Sequence, residues 1–179
     1  MNRFLPRAAI TAVFAGVMIL SSPVFAGGDD DDFVLRSQTV AQRLGGVDGI
    51  ADFISAKVVP ALVASELGPF FTGGVTRLTE STSQTVQCLA RLLDHDLGGS
   101  APKNGAIVTD AGALPDFPAQ HKCRSSMSNV HRGMNISDAQ FDLFIGIVAR
   151  EARDAGVKPE DVAAVGKVLG RYRGSITDK

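Results

Sequence analysis

The stretch MSNVHRGMNISDAQF, residues 127–141, decides how the rest of the sequence is read. It sets His131 in a short run with Met127 and Val130, breaks at Gly133 and restarts at Ser137. Ser137 and Gln140 form a capping box, in which the serine oxygen accepts a backbone N–H and the glutamine reaches back to the serine N–H. Phe141, Phe144, Ile145, Val148, Ala152 and Ala155 then recur every three or four residues, the stripe of an amphipathic helix. Gly156 supplies a left-handed stop. Pro159 suits the first turn of a further helix, with Glu160 and Asp161 favourable at its positive end. Val162, Val165, Leu169 and Tyr172 carry that helix to about Ser175. His131 is one of three histidines in the chain, and a buried imidazole loses its solvation unless something partners it.

Upstream the pattern is also helical. TVAQRLGG reads as a short helix stopped by Gly45-Gly46. IADFISAKVV places Ile50, Phe53, Ile54 and Val58 on one helical face, and Pro60 is expected to kink or end it. ELGPFFTGG, residues 66–74, is a turn-rich corner with Phe70 and Phe71 adjacent. Residues 75–99 read as another helix, despite hydroxyl side chains that lower the propensity. Residues 100–124 are rich in Gly, Pro and Ala without a period, and read as a long loop. No strand alternation and no internal repeat stand out, so an all-α fold is expected.

The front of the chain has the layout of a secretory signal peptide. Arg3 and Arg7 precede an apolar run from Ala8 to Leu20, and Val24-Phe25-Ala26 is a small-x-small cleavage pattern. The run is shorter than the roughly 20 residues that span a bilayer. Cleavage after Ala26 is expected to yield an exported protein, periplasmic or secreted, with no membrane attachment. Residues 27–36, with GGDDDD at 27–32, read as an acidic disordered leader, and 37–179 as one domain. Without Arg3 and Arg7 the 18 basic residues fall to 16, against 19 acidic ones, for a net charge of about −3. There is no basic stripe, which argues against a nucleic-acid partner. The two cysteines, Cys88 and Cys123, are expected to be bridged in an exported protein.

Catalytic patterns are scarce. The chain has no Gly-x-Ser-x-Gly elbow, no phosphate loop, no His-Glu-x-x-His and no Cys-x-x-Cys-His. Cys88, His95, His121 and Cys123 could supply zinc ligands, but their spacings match no common zinc pattern and the disulfide is preferred. Taken alone, His131 between Val130 and Arg132 reads more readily as a surface or satisfied helix residue than as a metal ligand. A neutral imidazole is, however, a good axial ligand for haem iron.

In order and spacing, LGGVDGIADFI, then ELGPFF, then a helix closing on LGG, then M-x-x-x-H-x-G-x-x-I-[ST]-x-x-x-F resemble the truncated haemoglobins, specifically their first group. The resemblance covers about residues 39–99 and 123–176, and runs without a gap from Gly45-Gly46 to the phenylalanine pair. It implies a two-over-two helical sandwich around haem b, with iron bound by His131. Met127, Ile136 and Phe141 would flank the imidazole, and Phe70 and Phe71 would pack at the porphyrin. Gly73-Gly74 and Gly98-Gly99 would serve as the family's turning glycines.

On the opposite, distal side the sequence departs from the family. Ungapped register puts Val58 where a tyrosine usually meets bound oxygen. The usual glutamine positions fall on Thr79 and Ser83, or on Leu78 and Thr82 one step off, with Gln84 and Gln87 nearby. The loop at about 100–122 is longer than the family's. The implied function is reversible binding of a diatomic gas, oxygen or nitric oxide, at haem iron. No distal acid–base residue is placed for oxidation of nitric oxide or reduction of peroxide, so gas binding is preferred to an enzyme. The rival reading is a haem-free globin-like domain with a structural or interaction role in the cell envelope.

Overall fold

Three helices begin on one four-residue device. Thr39 with Gln42, Ser81 with Gln84 and Ser137 with Gln140 each form a complete capping box, satisfying backbone N–H groups that a helix start leaves open. The computed structural model describes residues 38–75, 80–102, 106–107, 121–124 and 126–179. The proposed signal peptide, the acidic leader, Leu78, Thr79 and most of the 100–122 loop lie outside the described residues.

The order is α1 (Val40–Arg43), α2 (Gly46–Phe53), a π-helical stretch (Ile54–Val58), α3 (Val59–Val63), α4 (Gly68–Phe71) and α5 (Thr82–Asp96). After it come a two-residue ladder of β1 (Ala106–Ile107) and β2 (His121–Lys122), then α6 (Met127–His131), α7 (Asp138–Asp154), α8 (Pro159–Gly170) and α9 (Arg173–Ile176). α2 packs antiparallel on α5, because the end of α5 returns to the start of the fold, where the Ala41 N–H donates to the Leu97 carbonyl at 3.3 Å. α7 and α8, joined by a short turn at Gly156 (φ 81°), form the second pair. The π stretch and α3 rest on α7, and α5 touches α8. The result is two antiparallel pairs stacked on each other.

The layers meet in one core. Ile50, Ile54, Val58 and Leu62 face Val86, Ala90 and Leu93 of α5, and Ile147, Val148, Val168 and Leu169 close it from the other pair. Each large aliphatic side chain buried there contributes roughly 1.5–3 kcal/mol. Arg43 fastens α1 to α8 through Asp161, with Nε 3.1 and 3.2 Å from its two carboxylate oxygens. Gly99 must be glycine for a local reason. A Cβ there would run into the carboxylate of buried Asp94, which accepts the Ala101 N–H at 2.9 Å.

Four expectations need correction. Of the two outcomes expected at Pro60, a kink or an end, the end does not occur. Proline has no N–H to donate and crowds the carbonyl four residues back, and the helix accommodates it by widening over Ile54–Val58 and running on to Val63. α5 begins at Thr82 rather than near residue 75, because Ser81 and Gln84 cap it there. The last helix breaks after Gly170, where the Arg171 and Tyr172 N–H groups bond three residues back, and α9 follows as a separate turn. The long loop is pinned at its base by the ladder pairing Ala106 with Lys122 and Ile107 with His121. Among the described residues no helix is long and apolar enough to cross a membrane.

Candidate functional site

α6 is only five residues long, and isolated helices of that length do not persist. Its position is therefore set by its surroundings. Ser126 caps its start, accepting the Asn129 N–H at 3.3 Å. The Cys88–Cys123 disulfide, Cα atoms 5.4 Å apart, ties the segment leading into α6 to α5. After His131 the chain turns at Gly133 (φ 80°) and Asn135 (φ 49°). The turn is held from the far end of the chain. The Gly133 and Asn135 N–H groups donate to the Lys179 carbonyl at 2.8 and 3.3 Å, and the Asp178 N–H donates to the Ile136 carbonyl at 3.0 Å.

These elements enclose a cavity of about 240 Å³. Phe70 and Phe71 of α4 form one wall; Thr85, Leu89 and Leu92 of α5 form the next. Met127, Val130 and His131 of α6 stand opposite, with Ile136, Phe141 and Phe144 beyond them. Leu169, Tyr172 and Ile176 close the far side. Most of this lining is aliphatic or aromatic. Its polar edge includes the Glu80–Arg124 ion pair, at 3.2 Å.

The imidazole is oriented by one hydrogen bond. His131 Nδ1 lies 2.9 Å from the Met127 carbonyl oxygen, and a carbonyl only accepts, so Nδ1 carries the proton. In the neutral ring Nε2 then keeps its lone pair, the form that ligates a metal. Among the described residues nothing bonds to Nε2. Burial lowers the His131 pKa, and the Met127 carbonyl offsets this only in part. The ring stays neutral to lower pH than a free histidine.

That shift fixes a pH dependence. Above the ordinary histidine value of about 6.5 the ring is neutral in both folded and unfolded chains. As pH falls below it the unfolded chain takes up the proton first, so stability declines until the lower folded pKa is passed, and then levels. The slope is at most about 1.4 kcal/mol per pH unit for one proton. Denaturant midpoints of wild type and His131→Gln are expected to converge as pH drops through that window. Parallel curves would refute the assignment.

The six residues His131, Phe70, Phe71, Met127, Ile136 and Phe141 thus meet in one cavity. Val58 does not join them: the last residue of the π stretch, it is 3 % exposed and packed in the core. Ser83, in the first turn of α5, is not on the described wall, and Thr79 lies outside the described residues. Gln84 is spent on the cap of α5. What the sequence reading missed is the face of α5 itself, Thr85, Leu89 and Leu92, whose three- and four-residue spacing was the available signal. It also missed Tyr172, which belongs to a break it did not foresee. The zinc alternative loses both sulfurs to the disulfide, and His95 Nδ1 is held 3.1 Å from the Ala101 carbonyl.

This donor set fits haem. One neutral nitrogen ligand with an open lone pair stands in apolar, phenylalanine-rich walls, the environment that holds a porphyrin.

No protein-family model and no curated protein matches the chain. Solved structures do. The truncated hemoglobin of Tetrahymena pyriformis, in its Fe(III) form, is 20 % identical with a TM-score of 0.58, over 79 % of this chain and 100 % of that one. The 2/2 hemoglobin of a Synechococcus species, solved in the cyanomet state with covalently attached heme, is 15 % identical with a TM-score of 0.59, over the same shares. The chain has the two-over-two helical fold of the truncated haemoglobins.

Proposed function

We propose that this protein is an exported truncated globin of the family's first group that carries haem b and reversibly binds a diatomic gas, oxygen or nitric oxide. The observation that carries this reading is His131, its Nδ1 committed to the Met127 carbonyl and its Nε2 open on an apolar cavity wall. His131 ligates the iron, and haem, when bound, supplies the coordination position for the gas. Phe70, Phe71 and Phe141 exclude water from the macrocycle, and Met127 and Ile136 restrain the imidazole. On α5 Thr85 is the hydroxyl at the wall, a weaker donor than a tyrosine, so bound oxygen leaves readily. Among the described residues no acid–base pair is positioned in the cavity, so gas binding is preferred to peroxide reduction or oxidation of nitric oxide as the main role. Arg3, Arg7, the apolar run and the Val24–Ala26 pattern support export, and the disulfide suits an oxidising compartment.

A second reading, a haem-free globin scaffold with a structural or interaction role, draws on the cavity's size. About 240 Å³ lies below the roughly 300–1,000 Å³ of ordinary ligand sites, so a porphyrin must part side chains at the rim. Adding ferric haem to the purified protein decides between them. A Soret band that saturates at one equivalent is expected; no band leaves the haem-free reading.

A further inference from the structure

Tyr172 is the chain's single tyrosine, and there is no tryptophan. It stands at the break between α8 and α9 and lines the same cavity as His131. Its hydroxyl turns away from that cavity and donates to Oδ2 of Asp96, the last residue of α5. Asp96 is not on the cavity wall, and its side chain is 9 % exposed. One residue therefore has an oxidisable ring on the cavity wall and its O–H on a largely covered carboxylate, whose Oδ2 also lies 3.9 Å from the Arg171 guanidinium.

We propose that Tyr172 is a redox-active phenol that supplies an electron to haem held by His131 when hydrogen peroxide is the oxidant. The proposal rests on the haem reading above. In ferric protein peroxide would take two electrons as its O–O bond breaks, one from Tyr172 and one from the iron; one oxygen would leave as water with both peroxide protons and the other would stay with the iron. The phenolic proton passes to the Asp96 carboxylate, leaving a neutral tyrosyl radical and a protonated Asp96. A phenol is hard to oxidise if it must become a cation first, and a carboxylate already hydrogen-bonded to it removes that barrier. Electron and proton leave in opposite directions, one into the cavity and one away from it. The ring is also set where the chain has no competing tyrosine or tryptophan, so the oxidising equivalent is drawn to one known residue. Returning the radical to the phenol and the iron to its ferric state would then consume two equivalents of a one-electron reductant such as a quinol, with two protons carrying the second oxygen away as water.

The test is electron paramagnetic resonance of ferric, haem-loaded protein frozen after mixing with peroxide. Wild type is expected to give a tyrosyl signal, Tyr172→Phe to lose it, and Asp96→Asn to lower its yield several-fold while the Soret band persists in both variants. A second readout needs no haem. Excited beyond the phenylalanine absorption band, the emission comes from Tyr172 alone; a carboxylate acceptor quenches it, and Asp96→Asn is expected to brighten it. A Soret band in wild type without a tyrosyl signal overturns this proposal alone. So does an Asp96→Asn variant with unchanged radical yield and emission. Absence of any Soret band removes the haem reading, and this proposal with it.

Discussion

Haem affinity is expected to fall by about a hundredfold or more in His131→Ala, and added imidazole is expected to restore it in part. Loss of an outer partner of a metal ligand costs about 10–100-fold in affinity, and here the ligand itself is removed. The far-ultraviolet helical signal should survive, because α6 is a five-residue helix held from outside and His131 is half-buried, away from the main core. Imidazole rescue follows from geometry. The alanine variant leaves a hole the shape of the missing ring beside the Met127 carbonyl, which still accepts an N–H. Haem binding with an unaltered spectrum would move the ligand to His95 or His121 and undo the register on which the site is built.

The second large effect concerns the disulfide. Cys88 and Cys123 are 35 residues apart, and in the chain-entropy model closing such a loop stabilises the fold by about 4 kcal/mol. Cys88→Ser/Cys123→Ser is expected to lower the melting temperature by on the order of 10–15 °C in haem-free protein. Both cysteines line the cavity, so the double variant should also release haem faster than wild type. A change in stability below about 1 kcal/mol would mean that the unfolded chain is already constrained over this segment.

The part of the cavity wall near His131 could be read from the sequence because it is local. Met127, His131, Ile136 and Phe141 fall within one fifteen-residue stretch, and the Ser137–Gln140 cap fixes where the next helix starts. The distal half could not. A π-helical turn spends one more residue per hydrogen-bonded ring than an α-turn, so counting along an ideal helix to Val58 arrives on the wrong face. The widening answers Pro60 and the packing of α7, neither of which enters a count of residues. α5 was misjudged for the opposite reason. Its Ser81–Gln84 box is the same signal as Ser137–Gln140, but it sits in a run of hydroxyl residues that blurs it. The Tyr172–Asp96 contact joins residues 76 positions apart, and no periodicity reports it.

The carbonyl of Lys179 that accepts two N–H groups from the turn after His131 also sets an order of events in time. Residues 132–136 are synthesised well before residues 177–179, and until those arrive the turn lacks the strand-like partner that Thr177 offers Ile136. A nascent chain still tethered at its C-terminal end can form α2, α5 and their shared core, yet present an unanchored α6. On the haem reading proposed above, residues 177–179 must be in place before α6 can present His131 in the orientation described.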